Sequence, residues 1–147
     1  MDVKTEFDQM CAAGEVAGPC SDQKIYDAEA ELMVVFPVQY REFLSEYGAV
    51  VLDGVEIYGL PNVNDSEMPL WQDVVKVSRQ LKEWRQAGSE VPAYVPIADD
   101  GTGVYFYLDT NAGPKTRIIA IGPGIEQVVS SDLFEFALSI SNGELTF

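Results

Sequence analysis

The side chains with the greatest capacity for chemistry in this 147-residue chain are carboxylates. Asp99 and Asp100 stand together, and Asp109 falls across a hairpin from them, a set of oxygen donors of the kind that holds a hard cation. The spacing does not match the calcium-loop pattern of alternating oxygen ligands and a distant Glu, so a turn is the better reading. General acid–base catalysis would need opposed carboxylates in a cleft, with pKa values held apart, and no such arrangement is visible in the sequence. The chain has no histidine, which excludes Ser-His and Cys-His nucleophile pairs and the usual His-bearing zinc sites. Cys11 and Cys20 are the only cysteines, and their spacing fits no metal or redox motif; two reduced thiols are expected rather than a bridge. Gly101-Thr102-Gly103 and Gly122-Pro123-Gly124 lack the further residues that make a glycine-rich phosphate loop specific, and read as hairpin turns. The expectation is a protein with no catalytic residue, no metal site and no cofactor.

Charge bears on which partners the chain could accept. With 24 acidic and 9 basic side chains the formal net charge is −15, a surface that repels phosphate backbones and disfavours direct nucleic-acid contact. Such a surface attracts a basic protein partner and accelerates its encounter at low salt; it equally serves plain solubility, and charge by itself does not choose between the two. Residues 1–60 hold 12 acids against 3 bases, whereas residues 61–90 hold 5 against 4, so the negative field should come mainly from the first part and from loops near the C-terminus. Apolar runs such as Leu32 to Phe36 are far shorter than the roughly 20 residues that span a bilayer, so no membrane partner is expected. The N-terminus, Met1-Asp2-Val3-Lys4-Thr5-Glu6, lacks the basic-then-apolar pattern of a secretion signal, and the chain is expected to be cytoplasmic.

The elements that must position these side chains follow from periodicity and punctuation. A short helix is expected over 3–13, then a loop from Gly14 to Pro19. Ser21 or Asp22 can cap a second helix with Ile25, Ala28 and Leu32 on its buried face. Pro37 suits the first turn of a third, where Tyr40, Phe43, Leu44 and Tyr47 face inward and Gly48 closes the helix in a left-handed conformation. Asp53-Gly54 between two β-branched runs is a two-residue hairpin signal. Residues 70–86 return to helical spacing, with Trp71, Val74, Val75, Leu81 and Trp84 on an apolar side, while Lys76, Arg79, Lys82 and Arg85 spiral over a solvated one. Strands are expected over 94–98, 104–109, 117–121 and 125–129, followed by a helix over 132–140 that Ser131 can cap and whose Leu133, Phe134, Phe136, Ala137 and Ile140 are buried. In the second of these strands Val104, Phe106 and Leu108 point one way, and Tyr105 and Tyr107 the other. Tyrosines placed so serve either an interface or a half-buried sheet face.

Three ordered blocks resemble a known family. Ile25-Tyr26-Asp27-Ala28-Glu29-Ala30-Glu31-Leu32, Pro37-Val38-Gln39-Tyr40-Arg41-Glu42-Phe43-Leu44 and Tyr47-Gly48 are similar to the opening signature of the SUKH superfamily, which includes yeast cell-wall and killer-toxin-resistance regulators and many bacterial immunity proteins. Gly54 to Leu60 resembles its next block, and Tyr94 to Gly103 with Leu108-Asp109 its central hairpin. Val104, where that pattern turns polar or acidic, and the loop Thr110 to Thr116 depart from it. The resemblance implies an α+β fold, a curved and mainly antiparallel sheet flanked by helices. It also implies a single domain over 1–147, with an N-terminal helix and loop to residue 21 and the shared core over 22–140. The role it implies is that of an immunity protein that binds and neutralises a cognate toxin, with a basic domain such as a nuclease suiting the −15 charge. A regulatory or scaffold module of the same superfamily is the alternative, and a small carboxylate-dependent enzyme the remote one. Exposure, charge and sheet face nominate Asp53, Glu56, Asp99, Asp100, Tyr105, Tyr107 and Asp109 as partner contacts.

Overall fold

Asp2 starts helix α1 (Val3–Ala13) by accepting from the Thr5 amide at 2.8 Å, one of the orphan donors of a first turn. The computed structural model to which this helix belongs describes residues 2–52, 55–60 and 73–144. Ser21 caps α2 (Asp22–Leu32) by accepting from Lys24 N, and Ile25, Ala28 and Leu32 are buried as their spacing predicts. Pro37 stands at the N-cap of α3 (Val38–Glu46) rather than inside its first turn. Tyr40, Phe43 and Leu44 are buried, and Gly48 follows with φ 75°, where a Cβ would lie 2.1 Å from the Gly18 carbonyl oxygen.

Two antiparallel sheets follow. The first is β1 (Glu15–Val16), β2 (Val50–Leu52) and β3 (Val55–Ile57), in that order. Strand β1 lies within the stretch expected to be loop; two residues leave no periodicity to read, and only their pairing with Val51 and Val50 reveals it. Leu52 pairs with Val55, while Asp53 and Gly54 lie outside the described residues. The second sheet runs β4 (Tyr94–Asp99), β5 (Tyr105–Asp109), β6 (Ile118–Gly122), β7 (Ile125–Ser130). Between Pro96 and Ala98 the register of β4 shifts, leaving Ile97 outside the ladder, and the Ile97 carbonyl accepts instead from Tyr58 N at 2.7 Å. The bulge thus joins the two sheets where the strand bends.

Helices cover both faces of the second sheet. On one, Phe106 meets Phe136 of α5 (Leu133–Ser141) with ring centroids 5.0 Å apart. Phe7 of α1 sits between Phe134 (5.0 Å) and Tyr47 (5.6 Å), tying the first and last helices into one aromatic cluster. On the other face lie α4 (Val74–Glu83) and the segment after it. Leu133, Phe134, Phe136, Ala137 and Ile140 are all buried, but Asp132 rather than Ser131 caps α5, because its carboxylate reaches the amides of both Phe134 and Glu135 at 2.9 Å.

Helix α4 differs from its expected span. Asp73 caps it, accepting from Val75 N and Lys76 N, and Val74, Val75 and Leu81 are buried as expected, whereas Trp71 lies outside the described residues. Trp84 is exposed: the helical frame stops at Glu83, and the chain turns at Arg85 with φ 56°. Lys76, Arg79, Lys82 and Arg85 are exposed, as a solvated face requires. Cys11 and Cys20 are buried free thiols; burial pushes the Cys11 thiol up to about 12. Among the described residues no helix is long and apolar enough to cross a membrane.

Candidate partner-binding surface

The Asp99–Tyr105 pair closes the β4–β5 ladder, and the loop beyond it is built from its own carboxylates. Asp100 Oδ1 accepts from Thr102 N at 2.8 Å, Thr102 Oγ1 at 2.7 Å and Val104 N at 3.3 Å. Asp99 Oδ2 accepts from Gly101 N at 3.0 Å, and its other oxygen accepts from the Tyr58 hydroxyl. Such side-chain bonds to backbone two residues on are why Asp and Asn favour turns. Burial works against the charge on Asp100, yet the bonds from Thr102 and Val104 outweigh it and hold the carboxyl below its ordinary pKa. Among the described residues neither Asp99 nor Asp100 forms an ion pair, and both are half-buried.

Tyr58 anchors this end of the hairpin. It is buried, its amide bonds Ile97, its hydroxyl donates to Asp99, and its carbonyl accepts from the Tyr40 hydroxyl of α3 at 2.7 Å. Its phenol pKa lies far above the ordinary value, first through burial and then through the bond to Asp99 and its charge, with nearby Tyr105 and the Glu56 carboxylate pushing it in the same direction. Glu56, Asp99, Asp100 and half-buried Tyr105 therefore gather at one end of the molecule.

Two nominated contacts stand elsewhere. Tyr107 is fully buried, because the chain after α4 crosses the face on which the phenols lie: its hydroxyl donates to the Ala87 carbonyl at 2.9 Å, and a Cβ on Gly88 (φ 94°) would fall 2.7 Å from its ring. The face of β5 that carries Tyr105 and Tyr107 is half-buried at Tyr105 and interior at Tyr107. Asp109 is buried as well, paired with Tyr94 at the far end of β5, four residues and about 13 Å of strand from the Asp99 end. It accepts from Arg117 Nη1 at 2.9 Å and from Asn111 N at 3.0 Å, which caps a 3-10 turn over Thr110–Ala112. The apparent cluster of three carboxylates is thus divided between opposite ends of a hairpin. Among the described residues no group of three or more His, Cys, Asp or Glu is placed to hold a metal ion. Asp53 lies outside the described residues.

A second exposed region, at the α2–α3 junction, lies outside the residues nominated from the sequence. Glu29 is buried there, accepting from Phe36 N at 2.7 Å and pairing with Arg41 Nη2 at 2.6 Å, while the Arg41 guanidinium lies 5.1 Å from the ring centre of exposed Tyr26. The signal available was the run Leu32-Met33-Val34-Val35-Phe36, which holds more apolar side chains than one helix end can bury.

Residues 22–136 match the SUKH_6 family, described as SMI1-KNR4 cell-wall. A crystal structure of a protein from Pseudomonas syringae pv. tomato is similar to this chain with a TM-score of 0.71, over 93% of this chain and 96% of that one, at 14% sequence identity. At that identity the likeness is one of fold. No curated protein matches the chain.

Proposed function

The chain belongs to the SMI1-KNR4 family of the SUKH superfamily, and from that premise we propose that it works by binding another protein, as an immunity protein that neutralises a cognate toxin with a basic surface. The observation that carries the reading is the negative charge at the hairpin end, which no ion pair among the described residues offsets. Asp99 and Asp100 are fixed by five hydrogen bonds to neighbouring backbone and hydroxyl groups within the loop and to Tyr58, so they present negative charge from a rigid position on a chain whose net charge is −15. Charge held in this way costs little further ordering when a basic surface arrives, and it steers the encounter. Binding is favoured over turnover because the chain has no histidine and because Asp109 stands apart from Asp99 and Asp100. Co-expression with the toxin encoded immediately upstream tests the proposal. The expected result is restored growth and a complex that copurifies; a host that still dies, with no complex formed, overturns it for that pair.

A further inference from the structure

Among the described residues, four of the seven exposed large apolar side chains, Tyr26, Met33, Val35 and Val38, fall between residues 26 and 38. Tyr26, Ala30 and Met33 succeed one another at i, i+4 and i+7 along the outer face of α2, all exposed. Across from them Val38 opens α3, and between the helices runs a groove of about 300 Å³ with Ile25, Tyr26 and Val38 as its apolar walls, lined also by Asp22, Glu42, Ser45 and Arg41, the last neutralised by Glu29. Single exposed apolar residues are ordinary on any surface; a clustered set beside a groove is the pattern of an interaction site.

Met33 strengthens that distinction. It ends α2 with φ 57°, and the Val34 amide bonds back to the Glu29 carbonyl, a Schellman closure that glycine usually makes. Glycine here would relax the backbone and remove an exposed thioether together. The chain instead carries a long apolar side chain at 86% exposure in a conformation that side chains disfavour, and such positions gather at functional sites.

The charge around the groove indicates what covers it. Residues 21–47 hold six acids and two bases. Glu29 engages Arg41 and Glu31 engages Arg79 of α4 at 2.8 Å, while Lys4 of α1 is shared by Asp8 and Glu46 at 2.8 Å with Glu42 at 4.0 Å, so the border stays net negative through Asp22, Asp27 and the carboxylates in excess of Lys4. We infer that the α2–α3 groove docks an amphipathic helix of a partner protein, one whose apolar face is flanked by Lys or Arg. A second copy of this chain is a poor occupant, since it would bring the same acidic border against itself. The inference rests on the reading of the chain as a protein-binding module, but not on the partner being a toxin.

The test uses a fluorescent amphipathic peptide of leucine and lysine, about 14 residues or four helical turns long, titrated with the full chain and followed by anisotropy. Binding is expected, and the variant carrying Met33→Gly and Val38→Ser should bind about tenfold more weakly through the loss of two apolar anchors, with its melting temperature unchanged or raised. A variant carrying Val128→Ser, which removes an exposed apolar side chain of β7, should bind the peptide as the wild type does, and a leucine–glutamate peptide should not bind. Absent binding, equal binding by the groove variant, or equal binding of the glutamate peptide would each overturn the inference, as would a dimer abolished by the groove substitutions. Host death in the co-expression test would sink the immunity reading and leave the peptide result intact; loss of the peptide result with protection retained would sink the groove alone.

Discussion

At the Asp99–Val104 hairpin end, charged side chains turn back on their own backbone and stay half-exposed; at the α2–α3 junction a carboxylate is drawn inside beneath a part-exposed arginine, and apolar side chains are left out. The same physics produces both. Asp100 has amides to satisfy within its loop, so its carboxylate acts as a cap while it remains solvated. Glu29 has the Phe36 amide to satisfy under the α2–α3 linker, and a buried carboxylate requires a cation, which Arg41 supplies at 2.6 Å. Substitutions at the hairpin therefore mix charge with loop geometry, whereas Tyr26, Met33 and Val38 can be changed with little effect on the interior.

The largest effect that separates the regions is expected at Glu29. Glu29→Ala strands the buried Phe36 amide and removes the partner of the part-exposed Arg41 guanidinium, and denaturant unfolding should register a loss of about 2–3 kcal/mol, as when a buried donor loses a charged acceptor. A loss under half that would mean the pair does not hold the junction. Asp109→Ala should cost roughly 2 kcal/mol through the bonds from Arg117 and Asn111; partner association should be unchanged, and a specific loss of association at equal stability would return Asp109 to the contact surface. Met33→Gly should have the opposite sign, raising stability by about 0.5–1 kcal/mol as relief of left-handed strain exceeds the added freedom of the unfolded chain. A lowered melting temperature would show that the Met33 side chain is structural.

The smallest effect is on pH dependence. The bonds from Lys4 and then Tyr47 hold the Asp8 carboxyl below its ordinary value of 3.8, and Asp100 is held below it by its own loop. A depressed folded-state pKa gives stability that is present above the unfolded value and lost as pH falls through the folded one. Stability should therefore decline from about pH 4 downward, and Asp100→Asn, which keeps an acceptor for the turn, should flatten part of that decline in melting curves taken across this range. An identical slope in wild type and variant would remove Asp100 from the account.

Much of the fold was legible because helical spacing and turn chemistry are local. Ser21, Gly48 and the buried stripe of α3 behave as their positions in the sequence require. What escaped depends on distant chain. Tyr107 reads as an outward phenol until the segment carrying Gly88 is laid over it, and nothing near residue 107 announces that segment. Asp109 reads as a neighbour of Asp99 because a hairpin brings strands together, but residues at opposite ends of one ladder do not meet. The bulge at Ile97 likewise has its partner far along the chain, in the Tyr58 amide just after β3. Of the nominated contacts, Glu56, Asp99, Asp100 and Tyr105 stand together because their placement depends on the hairpin itself and on one tyrosine.

The central claim is that this chain captures a basic protein through charge fixed at the hairpin end. Stopped-flow association of the purified chain with the toxin domain encoded upstream, measured from low to physiological salt, tests it most directly. The account predicts an association rate that falls steeply with added salt, and an Asp99→Asn, Asp100→Asn variant whose rate at low salt is lower by about tenfold or more. A rate indifferent to salt and to both substitutions would contradict it.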